Sequence, residues 1–456
     1  MWVFTYMKHE NTMIRGAFIL GLGTFIAKLL GAIYRVPLTN LIGGYGLGLY
    51  QMVFPVYSVL LDFSGAGAPN AISKLVSSQN ELKQKKILLV SKRLLFVFSI
   101  ISFIFMLCFS GVISKAQGNA DAKFAYITLS PAVIGVALIS CYRGYFQGRE
   151  NMYPTAVSQI IEQFVKISLG LILVYFSMPS VVKSVGYATL AITISEFFAL
   201  IYLVVLFKRK NKGVNKISIN KSEFLEISLN IIKYALPITL IGVILPFSQV
   251  IDSFILINGI KKYLQNATSL YGLLSGVALT VINLPVSICY GLATSVIPAV
   301  SKEKNARKKT EKIKKSILLT FLISLIFAIF CAVFSKTVVN ILFKNLDETE
   351  KIISQNLIKI LSITVVFLSV LQTTNAVLIS SDLIIFPIIS LSIGVTIKIV
   401  LEYFLLKIQS INIYAGAIGL IACYFIVVLI NLIIILIKVM KNANKTNSNW
   451  KNINQE

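Results

Sequence analysis

Charged side chains interrupt the long apolar runs of this sequence at a few positions. Lys28 and Arg35 lie seven residues apart in the first run, which places them on one face of a helix. Thr24 and Gly31 fall on the same face. A cation in a lipid-facing helix costs about 3 kcal/mol on insertion scales, so this face is expected to meet protein, water or ligand. For Arg35, at the outer end of the run, an interfacial anchor is the alternative.

Two further runs each carry an acid and a lysine four residues apart. Glu162 precedes Lys166 in one run, and Lys398 precedes Glu402 in the other. Pairs at this spacing partly neutralise each other, so a structural ion pair and a substrate-contacting pair are both open. Glu196 lies near the middle of another run, where a neighbouring lysine or a coupling cation is its candidate partner.

The balance of these charges favours an anionic ligand. Arg143 adds a cation at the inner end of the N-terminal half, opposite Arg35 at the outer end. A site for organic cations is expected to be acidic and aromatic, whereas a phosphate-bearing headgroup calls for cations. We therefore predict a substrate site formed by charged residues in both halves of the chain: Lys28, Arg35, Arg143, Glu162, Lys166, Glu196, Lys398 and Glu402.

The sequence offers little for catalysis or metal binding. With His9 as its one histidine, histidine-based triads and HExxH motifs are excluded. The five cysteines lie in apolar runs without paired spacing, which indicates core residues. The glycine-rich segment GGYGLG, 43–48, is predicted to be a short outer turn between two helices. We predict no enzymatic activity, no cofactor and no metal site.

Membrane-spanning helices are the elements that must position the charged residues. Of the 456 residues, 56% are hydrophobic and 13% are charged, about half the charged share of a soluble protein. The fold class is therefore predicted to be all-α and polytopic. Apolar runs of roughly 20 residues predict twelve helices, near 13–35, 45–66, 89–113, 124–142, 155–177, 184–207, 229–256, 268–292, 316–335, 357–380, 384–406 and 413–437.

The basic residues are distributed unequally between the two sides of the predicted membrane. Lys and Arg number 43 against 18 Asp and Glu, a net charge of +25. Of the basic residues, 29 fall on the side of the N-terminus and 10 on the opposite side. The positive-inside rule then places both termini on the cytoplasmic side of the membrane. The same asymmetry accounts for the net charge without a nucleic-acid partner.

The two halves of the chain repeat each other. The segment LYQMVFPVYSVLLDFSGAGAPNAISKLVSSQN, 49–80, resembles LYGLLSGVALTVINLPVSICYGLATSVIPAVSKEKN, 270–305. Each helix therefore matches the one six positions later, and the halves share one orientation. We predict two parallel six-helix lobes around a central cavity, 1–215 and 216–456, joined by the basic linker 208–223.

Three segments resemble a known family. These are RGAFILGLGTFIAKLLGAIYRVPLTNLIGGYGLGLYQ (15–51), APNAISKLVSSQN (68–80) and SCYRGYFQGRENMYPTAVSQIIEQFVKI (140–167). They are similar to signature segments of the oligosaccharide-flippase branch of the MOP (multidrug/oligosaccharidyl-lipid/polysaccharide) superfamily. Within that branch they are most similar to the stage V sporulation protein B-like proteins and the Gram-positive lipid II flippases.

The resemblance implies a MATE-like fold and alternating-access flipping of a polyprenyl-pyrophosphate-linked saccharide from the inner to the outer leaflet. Cell-envelope synthesis proteins are the implied partners, besides the lipid-linked substrate and membrane lipids. In this family a basic residue of the helix 1 pattern S/A-R/K-x-L-G meets the pyrophosphate, and that position is Lys28 here. A second basic residue commonly follows six positions later, where this sequence has Tyr34 and places the cation at Arg35.

Two other functions stay open from the sequence. A multidrug or organic-cation antiporter uses the same fold, and a membrane scaffold for envelope or spore-coat synthesis needs no transport.

Overall fold

In a computed structural model, the described backbone covers residues 2–210, 218–301, 303 and 305–440. These residues form helices and turns, and no strand occurs among them. The side chain of His9 and the middle of the predicted linker, 211–217, lie outside the described residues. The contacts divide the chain into two compact units, Met1–Val250 and Ile251–Glu456. The predicted lobe boundary at 215/216 falls outside the described residues and stays a prediction.

The helices of the first unit are long and mostly follow the predicted apolar runs. Their bounds are α1 (Trp2–Leu61), α2 (Ala68–Ser77), α3 (Glu81–Ala116), α4 (Lys123–Leu129), α5 (Ala132–Gly148), α6 (Tyr153–Ser177), α7 (Val181–Lys210) and α8 (Lys221–Lys261), which crosses into the second unit. Within the unit, α6 packs against α1 and α7, and α5 packs against α2, α3 and α7.

The helices of the second unit pack around α12, which contacts α10, α11 and α14. Asn431 fixes part of this core, because its buried amide donates to Asn375 (2.8 Å) and accepts from Ser390 (2.8 Å). The bounds of the remaining helices are α9 (Ala267–Gly272), α10 (Leu279–Ser301), α11 (Ala306–Leu342), α12 (Glu348–Ser380), α13 (Ile385–Leu405) and α14 (Tyr414–Ile434).

Eleven segments of the described chain are long and apolar enough to span a membrane, where the sequence predicted twelve. The difference lies in the first segment, Ile19–Ser77, which covers most of the first predicted helix and all of the second. At ~1.5 Å per residue its 59 residues extend about 88 Å, enough for two crossings of a ~30 Å apolar layer. The predicted turn at 43–48 is a break at Gly43 inside α1 (φ 66°, ψ −175°).

The fourth predicted helix, near 124–142, lies within one candidate span, Ala120–Gly148. In that span the chain forms α4 and α5 on either side of Ser130 and Pro131. Pro131 has no N–H for a helical hydrogen bond, which separates the two helices at this point. The second of them then continues through Gly148, so Arg143 lies inside a helix and not in an inner loop.

The first part of α8 is held to the first unit by two contacts. Lys86 Nζ on α3 lies 2.8 Å from Glu223, and Lys74 Nζ on α2 lies 4.1 Å from the ring centroid of Tyr234. The first part of α8, up to Val250, accordingly belongs to the first unit.

Candidate functional site

The polar face predicted on the first helix packs against α6. Thr24 Oγ1 donates a hydrogen bond to Gln159 Oε1 at 3.1 Å. A Cβ atom at Gly31 would lie 3.1 Å from Gln163 Oε1, so the missing side chain lets the two helices approach. Lys28 lies between these two contacts along α1, and much of its side chain is not covered by protein. This face therefore carries Lys28 as an exposed cation.

Arg143 and Glu162 form an ion pair between α5 and α6. The distance from Arg143 Nη2 to Glu162 Oε2 is 3.1 Å, and Arg143 Nε donates to Ser158 Oγ at 2.9 Å. Gln163 Nε2 donates to the other Glu162 oxygen at 3.0 Å. Both residues were predicted site residues, but the sequence paired Glu162 with Lys166. Glu162 pairs with Arg143 instead, because α5 extends to Gly148 and places Arg143 alongside α6.

Lys166 faces α1. Its Nζ lies 5.8 Å from the ring centroid of Tyr34, a distance at which an ammonium is attracted to the face of an aromatic ring. Tyr34 is buried, and a Cβ atom at Gly170 would lie only 2.4 Å from its hydroxyl oxygen. Tyr34 occupies the position where the family resemblance implies a second cation. In this chain a cation of α6 lies beside that position instead.

Glu196 joins this cluster from α7. Its side chain is buried, and its charged neighbours are Glu162, Arg143 and Lys166. Arg35 on α1 is close enough to Lys166 for their charges to interact. The structure thus brings five of the predicted residues together in the first unit. They comprise three cations and two carboxylates.

Two tyrosines of the first unit lie near these charged groups and were not predicted from the sequence. Tyr57 is buried within electrostatic range of Glu196 and Glu162, and Tyr50 is within range of Arg35. The available signal was the run of aromatic residues in YQMVFPVY, 50–57, seven residues apart at its ends and thus on one helical face.

The remaining two predicted residues form a separate cluster in the second unit. Lys398 Nζ lies 3.8 Å from Glu402 Oε1, so the pair predicted from the spacing is in contact. The closer partner is Asp252 on α8, whose Oδ2 contacts the same nitrogen. Asp252 was not among the predicted residues, although an isolated carboxylate inside an apolar run was a usable signal. All three side chains are buried.

The described part of the chain has no cluster of side chains that could bind a metal ion. No group of three or more His, Cys, Asp or Glu side chains there is arranged to hold a metal ion.

Comparisons with known proteins agree with this architecture. The family model described as polysaccharide biosynthesis protein matches residues 13–304, and the MatE family model matches residues 237–404. The inward-facing structure of a multidrug resistance MATE family transporter of the MOP superfamily is similar, with a TM-score of 0.76 and 15% identity. The match covers 92% of this chain and 96% of that one. The predicted all-α, MATE-like fold class is confirmed.

Two curated relatives come from Bacillus subtilis (strain 168). Stage V sporulation protein B is 32% identical over 317 residues, which cover 66% of this chain and 60% of that protein. The match therefore spans less than two thirds of that relative's length. Lipid II flippase MurJ is 26% identical over 447 residues, which cover 91% of this chain and 81% of that protein.

Proposed function

Because this chain belongs to the polysaccharide biosynthesis protein family of the MOP superfamily, we propose that it flips a polyprenyl-pyrophosphate-linked oligosaccharide. The substrate class is a peptidoglycan or polysaccharide precursor similar to lipid II, which is named in the relative Lipid II flippase MurJ. Transport runs from the inner to the outer leaflet of a bacterial cell membrane, with both termini in the cytoplasm. The eleven candidate spans make the chain a multi-pass membrane protein.

The observation that carries this proposal is the charged cluster of the first unit. Arg143 is balanced by Glu162, and the buried Glu196 lies among cations. Lys166 and Arg35 give the cluster an excess of positive charge, and Lys28 adds a further cation on the face of α1 that also carries Arg35. A pyrophosphate carries negative charge on several oxygens, and ammonium and guanidinium groups are its natural binding partners.

The residues have separate roles in this proposal. Lys28 binds the pyrophosphate directly, because it is accessible and lies on the polar face of α1. The Arg143–Glu162 pair and Glu196 position the cationic groups around it. In the second unit Lys398 and Glu402 line or gate the path. Alternating access by rocking of one lobe against the other then exposes the headgroup to each leaflet in turn.

The direct test measures translocation of a labelled lipid-linked oligosaccharide in proteoliposomes. Lys28→Ala is expected to reduce the rate at least roughly tenfold, since one charge-assisted contact contributes about 1.5–3 kcal/mol. Lys28→Arg retains the charge and most of the rate. Lys262→Ala, which removes an exposed lysine at a helix end, serves as the matched control. Unchanged flipping by Lys28→Ala removes this residue from the mechanism.

A multidrug or organic-cation antiporter is the second candidate. It is favoured by the match to the inward-facing MATE transporter structure and by the MatE model over residues 237–404. The excess of cations in the first unit disfavours it, because a cationic drug would be repelled. Expression in a drug-sensitive strain separates the two candidates. Drug resistance without an envelope defect on depletion supports the antiporter, and the reverse supports the flippase.

A further inference from the structure

Three ionisable side chains are buried together in the unit Ile251–Glu456. Lys398 and Glu402 lie one turn apart on α13, and Asp252 reaches the same ammonium group from α8. The exposed fractions of the side chains are 2% for Lys398, 0% for Glu402 and 10% for Asp252. Water therefore does little to screen the charges of this triad from one another.

The charges of the triad do not cancel when all three groups are ionised. Two carboxylates against one ammonium leave one net negative charge, and an uncompensated buried charge is strongly unfavourable. Two carboxylates that share a site also disfavour each other's ionisation. One additional positive charge restores neutrality.

The triad also lacks a hydrogen-bond donor. Asp252 Oδ1 and both Glu402 oxygens are buried and accept no hydrogen bond from the described residues. A carboxylate only accepts hydrogen bonds, whereas a protonated carboxyl group also donates one. A single proton on either residue thus supplies the missing donor to the other and removes the excess charge at the same time.

The packing around Glu402 favours a proton over a metal ion. A Cβ atom at Gly419 on α14 would lie 2.6 Å from Glu402 Oε1, so this helix closes directly over the carboxyl group. Hard metal ions require a shell of about six oxygen ligands. The other ionisable groups facing the triad are phenols and a thiol, which carry no charge in their ordinary form at neutral pH: Tyr271 on α9, and Cys423 and Tyr424 on α14.

We infer that Asp252 and Glu402 form a binding site for one exchangeable proton, with Lys398 as its fixed counter-charge, and that proton release there is coupled to transport. The site itself is independent of the substrate. The coupling rests on the proposed function.

Infrared spectroscopy tests the site without any substrate. The purified protein in nanodiscs is expected to show the carbonyl stretch of a buried protonated carboxyl group, sensitive to exchange into D2O. The amplitude of this carbonyl band decreases as pH rises. The band is absent from the spectra of Glu402→Gln and Asp252→Asn. Glu311→Gln, which alters an exposed carboxylate of α11, leaves the band unchanged. A band that both triad variants retain, or one that responds to Na⁺ and not to pH, overturns the inference.

A transport measurement tests the coupling. In proteoliposomes an imposed pH gradient is expected to accelerate flipping severalfold for the native chain and not for Glu402→Gln. Gel filtration and thermal unfolding establish that this variant folds, and Gln preserves the size of the side chain. Acceleration by a sodium gradient with no response to pH contradicts the coupling. If no lipid-linked oligosaccharide is flipped while the infrared band behaves as expected, the proposed function fails and the proton site stands.

Discussion

The ammonium nitrogen of Lys166 lies 5.8 Å from the ring centroid of Tyr34, and this contact joins α6 to α1. Tyr34 occupies the position where the family resemblance implies a second cation. The cation comes from the neighbouring helix, and the tyrosine supports it. This relationship gives a functional prediction and a stability prediction.

Lys166→Met is expected to lower the rate of flipping roughly tenfold, because a cation beside the pyrophosphate path is lost. Lys166→Arg keeps the charge and the contact with the aromatic ring, so it retains most of the activity. The rates are measured in proteoliposomes beside Lys262→Met, which removes an exposed charge. Equal rates for Lys166→Met and the control mean that Lys166 only stabilises the fold.

Gly170→Ala is expected to destabilise the first unit by about 1–3 kcal/mol, since the new Cβ would lie 2.4 Å from the Tyr34 hydroxyl oxygen. The double variant Gly170→Ala/Tyr34→Phe should recover part of that loss, because the nearest atom is removed. Thermal unfolding in detergent provides the measurement. Gly21→Ala is the matched control, as nothing lies within 4 Å of the added Cβ. Additive effects of the two substitutions would show that they do not interact.

Gly43→Ala tests the break inside α1. The backbone there has φ 66° and ψ −175°, a region that is essentially restricted to glycine. No atom lies within 4 Å of the added Cβ, so any loss of stability comes from the backbone alone. We expect a loss of about 1–3 kcal/mol in the free energy of unfolding. Stability equal to that of Gly21→Ala argues against this backbone conformation.

The Arg143–Glu162 pair is expected to show a coupling energy of about 1–3 kcal/mol in a double-mutant cycle with Gln at each position. Both side chains are largely buried, and Arg143 also donates to Ser158. The exposed pair Lys315–Glu311, at a comparable distance of 2.8 Å, provides the control, with a coupling of at most about 0.5 kcal/mol. Coupling energies of the same size in both cycles would contradict a special role for burial.

Much of the fold was predictable because a long apolar run in a membrane forms a helix. A backbone without water must satisfy its own hydrogen bonds, so such runs become helices. The departures from continuous helices are local. Gly43 interrupts α1 at the predicted turn between the first two helices, and Pro131 separates α4 from α5 within one predicted span.

The sequence by itself determined which side chains share a face of one helix. The contact of Lys398 with Glu402 and the shared face of Thr24, Lys28 and Gly31 follow from the 3.6-residue period. Only the tertiary structure decided which side chains meet between helices. Glu162 contacts Arg143, and Lys398 contacts Asp252, which lies 146 residues away in the chain. Spacing along a helix is fixed by covalent geometry, whereas contacts between helices depend on packing that no local pattern encodes.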